Sequence, residues 1–236
     1  MMPKKNHRMD VYLLGVMGSV PGANKGMQAM GCNSSCMLVQ SRELLFFDAG
    51  TGLLHADMGG YLKGQATLHL FLSHYHYDHI IGLPFWSVLY DKDCIVHIYG
   101  PELEGRGVEQ VVQEMMKPPF LPMSRESFKA RVVYHTILSG DVISFSEVDV
   151  LPFDAFHPGG GVVYVIRGKE DGPVVGYLTD LDIEKTDTEA SGLSSALEGG
   201  AFIYGDAHFT LNEYNRHPDW GHSAIDHMIA FQVKCN

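Results

Sequence analysis

The stretch SHYHYDHIIGLP, residues 73–84, closes the apolar run TLHLFLSH (67–74) with His74, His76, Asp78 and His79 inside six positions. Apolar flanks carry this segment toward a protein interior, where four strongly polar side chains need a reason. Imidazole and carboxylate together form the usual donor set for a hydrolytic metal ion. Read as the end of a strand, the segment turns His74 and His76 to the same side, because side chains alternate with period two. Those two histidines can then share one ion. Asp78 and His79 fall where the chain turns and are set to face a second.

The surrounding chain reads as alternating strands and helices. VYLLGVM (11–17) and CMLVQSRELLFFD (36–48) predict strands, the latter a pair joined at Ser41–Glu43. A Gly-rich loop, GSVPGANKGMQAMGCNSS, lies between them, and loops of this length are more often functional than idle. A short helix is expected after FFDAGTGLL, before the buried strand at 67–74. CIVHIYG (94–100) predicts a strand. GRGVEQVVQEMMK (105–117) predicts an amphipathic helix stopped by Pro118 and Pro119. Strands follow at 132–138, 148–157, 161–168, 173–180 and 201–206, with helix around 184–198 and near 222–233. Two strand-rich halves with interspersed helices predict an α+β layered sandwich with its helices outside, one domain over residues 1–236.

Later strands supply more donors. His157 closes VDVLPFDAFH and Asp180 closes PVVGYLTD, in the same relation to their apolar runs as the histidine cluster has to its own. Asp180 alone also suits a helix N-cap. Beside the cluster, both read as ligands.

Composition narrows the function. The chain has 236 residues, a formal charge of −11 and 45% hydrophobic residues. That acidity argues against a long nucleic-acid partner, since phosphate neutralisation supplies most non-specific affinity. No apolar run approaches the roughly 18–20 residues that span a bilayer. MMPKKNHRMD lacks the apolar centre of a signal peptide, so a cytoplasmic location is expected. Four cysteines are too sparse for a disulfide framework. Cys32 and Cys36, spaced C-x3-C, read as reduced thiols rather than half of a zinc knuckle.

HYHYDH, His157 and the Asp180 of GYLTD, with GSVPG, CNSSC and FFDAGTG upstream, resemble the metallo-β-lactamase superfamily. The resemblance implies an αββα sandwich with two divalent metal ions: zinc first, with manganese or iron as alternatives. It assigns His74, His76 and His157 to one ion, Asp78 and His79 to the other, and Asp180 to both. An aspartate at that bridging position is similar to the phosphodiesterases and thioester hydrolases of the superfamily rather than to true β-lactamases. The tail YGDAHFTLNEYNRHPDWGHSAIDHM resembles the ribonuclease Z and cyclic-phosphodiesterase branch. There an acidic residue, here Asp206, pairs with the histidine of a G-H-S segment, here His222, which protonates the leaving group. That branch usually has Glu where this chain has Asp206.

The branch also carries a further histidine in a strand after the G-H-S helix, whereas this sequence ends at FQVKCN. Either His222 itself ligates, or the sandwich is short of its last strand and helix, which is the preferred expectation. An edge left open in that way invites pairing with a second copy, as a homodimer.

The implied chemistry is attack by a metal-bridging hydroxide, the pKa of its water lowered from about 15.7 toward about 7. His222, Asp206 and Asp78 are the catalytic candidates. The substrate expected is a small or cyclic nucleotide-like phosphodiester. A thioester or lactone hydrolase of the same fold, and a non-catalytic metal-binding module, are the alternatives. His208 and His217 flank the site as substrate contacts or surface residues. His7, His55, His69, His97, His135 and His227 read as structural.

Overall fold

Eleven strands and six helices follow one another in a computed structural model that describes residues 9–22, 31–62, 64–119, 121–186, 191–200 and 202–235. The chain divides into two compact units. The N-terminal unit is Val11–Ile137, and the C-terminal unit begins at Leu138.

The N-terminal unit is built on a six-stranded sheet in chain order: β1 (Asp10–Gly15), β2 (Cys36–Gln40), β3 (Leu44–Phe47), β4 (Thr67–Phe71), β5 (Ile95–Pro101) and β6 (Arg131–Ile137). β2 and β3 form an antiparallel pair, and β3 through β6 run parallel. Parallel strands need crossovers, supplied by α1 (Gly52–Gly59), α2 (Tyr77–Ile80) and α3 (Val108–Met115). One sheet face buries Leu38, Phe46, Leu70, Val96 and Ile98 with Leu53, Trp86, Val108 and Val112.

The other face carries a cross-strand ladder of rings. Phe47, Phe71, Tyr99 and His135 occupy one register row, with centroids 5.2, 4.3 and 4.4 Å apart. His69 stacks on its register partner His97 at 4.9 Å, and its Nδ1 lies 3.2 Å from the Tyr99 hydroxyl. Nδ1 of His97 lies 2.9 Å from Nε2 of His135. These histidines are thus structural in contact terms. His7 lies outside the described residues.

The C-terminal unit holds a five-stranded sheet ordered β11-β10-β9-β8-β7, from β7 (Ile143–Ser144), β8 (Val148–Asp154), β9 (Val162–Gly168), β10 (Val174–Leu178) and β11 (Phe202–Gly205). Its pairs are antiparallel except β10 with β11. Phe153, Val163, Val165 and Leu178 form a core with Leu193 and Leu197 around α4 (Leu193–Ala196), and with Met228 and Phe231 of α6 (Ile225–Cys235). A short helix absent from the sequence reading, α5 (Leu211–Tyr214), starts at a Thr210/Glu213 capping box. Of the helix expected around 184–198, only α4 is helical among the described residues, and 187–190 lie outside them.

Strand ends differ from expectation in one consistent way. β4 stops at Phe71, β8 at Asp154 and β10 at Leu178, so His74, His76, His157 and Asp180 sit two to five residues past their strands. The alternation argument for His74 and His76 therefore does not hold. Polar side chains that must converge on a point cannot stay on a ladder that sends every second one away. Asp180 does not cap a helix, since a turn follows it.

Two Gly-bearing loops interlock beneath the cluster. The amide of Ala49 donates to the His79 carbonyl at 2.7 Å, and that of Gly82 to the Ala49 carbonyl at 2.7 Å. A Cβ on Gly82 would land on the carbonyl oxygens of Gly50 and Ala49. Gly82→Ala is therefore expected to lower unfolding stability by about 1–3 kcal/mol, because backbone cannot yield as a side chain does. Urea denaturation measures it, and an unchanged midpoint would refute the close approach.

The ring ladder gives a pH prediction. Burial, with His97 adding to it, pushes the His69 imidazole down to about 4. The unfolded chain, with a histidine near about 6.5, binds that proton more readily. The stabilising contribution is complete above the unfolded value and is lost as pH falls from there toward about 4. His69→Gln should shrink the loss of stability across that window, read from urea melts at successive pH values. An unaltered slope would sink the account.

Candidate metal and proton-transfer site

In the N-terminal unit the organising group is Asp48, one step past β3 and fully buried. Its Oδ1 accepts the Ser73 amide at 2.7 Å, and its Oδ2 accepts the Ser73 hydroxyl at 2.8 Å and His79 Nδ1–H at 2.7 Å. Ser73 Oγ has spent its one proton on Asp48, so at 3.0 Å from His74 Nδ1 it accepts. His74 and His79 are both fixed as Nδ1–H tautomers, which leaves Nε2 as the electron-pair donor of each ring. The ring centroids of His74 and His79 lie 4.2 Å apart, and those of His74 and His76 4.6 Å. Asp78 Oδ2 is 3.4 Å from His79 Nε2 and accepts the Ser19 amide at 2.7 Å. The predicted cluster His74, His76, Asp78 and His79 is thus together. Asp48 escaped the sequence reading, although FFDAGTG, an acidic residue directly after two buried phenylalanines, carried the signal.

The C-terminal unit repeats the device. His157 Nδ1–H donates to the Gly221 carbonyl at 2.8 Å, and a carbonyl can only accept, so His157 Nε2 is again the donor atom. That Nε2 lies 3.8 Å from Asp180 Oδ2. Asp180, Asp206 and His222 each offer a ligand-type atom, all within 4.8 Å of one another. His222 Nδ1–H donates to Asp206 Oδ2 at 2.6 Å. Asp206 also accepts the Leu181 amide at 3.2 Å and the His208 amide at 3.0 Å. The carboxylate that orients His222 is thereby tied to the residue next to Asp180. Below it, Ser223 Oγ donates to the Leu181 carbonyl at 2.6 Å and accepts the Ile183 amide at 3.0 Å.

His208 stacks flat on His222, with centroids 4.3 Å apart and planes at 17°. Burial, and then the neighbouring His222, lower its pKa. Tyr214 donates to both oxygens of the buried Asp182 at 3.0 Å, a support for the 181–186 segment that the sequence reading missed.

These donors fit divalent metal ions. Three buried imidazoles, His74, His79 and His157, each have Nδ1–H held by a hydroxyl, a carboxylate or a carbonyl. That is how metal-bound histidines are usually oriented through their second nitrogen. Carboxylates stand beside them on Asp78 and Asp180.

Comparison with known proteins agrees. Residues 29–182 match the model of the metallo-beta-lactamase superfamily. A ribonuclease Z of Haloarcula marismortui is 28% identical over 172 residues, covering 69% of this chain and 50% of that protein. A ribonuclease Z of Thermococcus kodakarensis is 24% identical over 190 residues, covering 72% and 55%. The chain spans about half the length of these curated relatives. Among solved structures, the short form of human tRNase Z aligns with a TM-score of 0.72 at 18% identity, covering 95% of this chain and 88% of that one. A diphosphatase of the PhnP family aligns at 0.68 and 20% identity, covering 97% and 83%. Such structures share the fold, an α+β fold that implies divalent metal ions. With its family match spanning more than half of its length, the chain belongs to the metallo-β-lactamase superfamily.

Proposed function

We propose that the chain is a metal-dependent phosphodiesterase acting on a small, nucleotide-like diester, with both units serving one hydrolase domain. His74, His76 and His157 would hold one ion and Asp78 and His79 the other, with Asp180 shared between them. Zinc suits this donor set, and manganese or iron are the alternatives. Bound there, the ions supply Lewis acidity toward phosphoryl oxygens and lower the pKa of an attacking water.

The observation that carries the reading is the Asp206–His222 pair at 2.6 Å. Asp206 accepts from Nδ1, so the opposite nitrogen, Nε2, is the one that can present a proton. The adjacent carboxylate favours the charged imidazolium that carries it. A departing alkoxide needs that proton. A thiolate, whose thiol has a pKa near about 8.5, departs without one. A built proton donor therefore favours diester over thioester. The formal charge of −11 favours a small substrate over a polynucleotide. A cytoplasmic setting belongs to the same reading, supported by four cysteines that are all thiols. No helix among the described residues is long and apolar enough to cross a membrane.

Assay of bis-p-nitrophenyl phosphate against an acyl thioester, with Zn²⁺ or Mn²⁺ added, tests the function. Diester turnover that a chelator abolishes is expected, and thioester turnover without it would overturn the reading. His222→Ala should lose about 10²- to 10⁴-fold in kcat on a dialkyl-type diester. It should lose far less on the p-nitrophenyl ester, whose leaving group needs little protonation. Equal losses on both would remove His222 from proton transfer.

Asp48→Asn tests the support of the cluster. The amide keeps one acceptor oxygen, so in either orientation the Ser73 amide or the His79 Nδ1–H meets an NH2 where it needs an acceptor, and metal affinity should fall about 10- to 100-fold. Titration with Zn²⁺ against a competing chelator measures this. Undiminished affinity would separate Asp48 from the metal.

A further inference from the structure

The two tryptophans of the chain have opposite fates. Trp86 is fully buried in the N-terminal core, whereas Trp220 is 54% exposed. Trp220 sits two residues before His222, in the loop between α5 and α6. An exposed indole beside a candidate site offers an open face on which a planar ring can stack.

Trp220 does not hang loosely. Its amide donates to the His217 carbonyl at 3.2 Å, closing a turn. The next residue, Gly221, has φ +70°, and a Cβ there would strike Pro158 and come within 3.0 Å of His157 Cα. The Gly221 carbonyl is the acceptor that fixes His157. The backbone on which Trp220 stands is therefore clamped to the site itself.

The rings around it form a continuous row. Trp220 lies 4.5 Å from His217. His217 stacks on the buried Phe209 at 5.6 Å and 19°. Phe209 meets the His222 ring edge-on at 6.0 Å. Phe209 is pinned in turn, its amide donating to the Ser223 carbonyl and its carbonyl accepting from Ile225. The row runs from an exposed indole inward to the proposed proton donor, on which His208 stacks in turn.

We propose that Trp220, backed by His217, is a stacking platform for a nucleobase carried on the leaving-group side of the scissile phosphodiester. The inference rests on the phosphodiesterase reading and sharpens it. A group protonated by His222 departs from that end of the row, so a planar ring attached to it comes to lie against the next rings along. Stacking is sequence-tolerant and needs no positive charge, which suits an acidic chain. Trp220 and His217 act on specificity and not on bond cleavage.

Because Trp86 is buried out of reach of an added ligand, quenching by contact reports on Trp220. Adenosine or guanosine 5′-monophosphate should quench it saturably in the wild-type protein, and ribose 5-phosphate should not. Equal quenching by both, no quenching by either, or quenching by phenyl phosphate with the nucleotides silent would overturn the assignment. A second measurement uses turnover. Trp220→Ala should raise the ratio of KM for a dinucleoside phosphodiester to KM for a nucleoside methyl phosphodiester about tenfold, and Trp220→Phe should restore most of it. An unmoved ratio would also overturn the platform. Hydrolysis of bis-p-nitrophenyl phosphate reports separately on the phosphodiesterase reading, so failure of one is distinguishable from failure of the other.

Discussion

A buried carboxylate cannot stand alone, and the N-terminal unit is organised around that constraint. Asp48 has no access to solvent, so its charge must be met by hydrogen bonds or the fold loses several kcal/mol. The Ser73 amide, the Ser73 hydroxyl and the His79 ring meet it, each within 2.8 Å. This is possible only because β3 and β4 are parallel neighbours whose C-terminal ends lie side by side. The same contacts decide which nitrogen of His79 and His74 carries a proton. Sheet topology, tautomer and ligand direction are thus one arrangement seen at three scales.

The C-terminal unit solves the same problem with different acceptors. A main-chain carbonyl, Gly221 O, orients His157, and a carboxylate, Asp206, orients His222. The acceptor alone does not set the role, since a carboxylate holds the proposed ligand His79 just as one holds His222. Asp206 is a methylene shorter than the Glu expected from the resemblance, and still reaches His222. It does so from directly after β11, with the Leu181 and His208 amides holding it from two sides.

Much of this was legible in the sequence, and the exceptions share a cause. The apolar runs gave the strands, and H-x-H-x-D-H with His157 and Asp180 marked the donors, because residue type and proximity to a run survive without coordinates. Strand ends were set two or three residues too far along: LSH of TLHLFLSH, AFH of VDVLPFDAFH and TD of PVVGYLTD lie outside the ladders. Polarity continues smoothly past a strand end, and only hydrogen bonding shows where pairing stops. Ser73 and the Gly221 carbonyl were hidden because orientation through a second nitrogen is a relation between residues up to 64 positions apart. A main-chain carbonyl has no signature in a sequence at all.

Two of the acidic residues show why the chain uses aspartate at these places. Asp48 and Asp180 both have positive φ, 62° and 47°, where an L residue with a Cβ is strained by about 1 kcal/mol or more. Glycine would relieve that strain but supplies no carboxylate. Aspartate tolerates this region better than most residues, because its short polar side chain bonds locally. Asp48 offsets the cost through its amide, which donates to the Phe71 carbonyl at 2.8 Å, and through its three side-chain contacts. Asp180 has a contact from the Thr179 hydroxyl at 3.1 Å and neighbours clamped by Asp206 and Ser223. A left-handed residue turns the chain sharply off the strand, which swings its carboxylate across the strand end instead of along it. Glutamate in the same backbone would meet the same strain with a longer, less determined reach. The short acid in a strained turn is therefore the combination that aims a charge, and the surrounding hydrogen bonds are what keep it there.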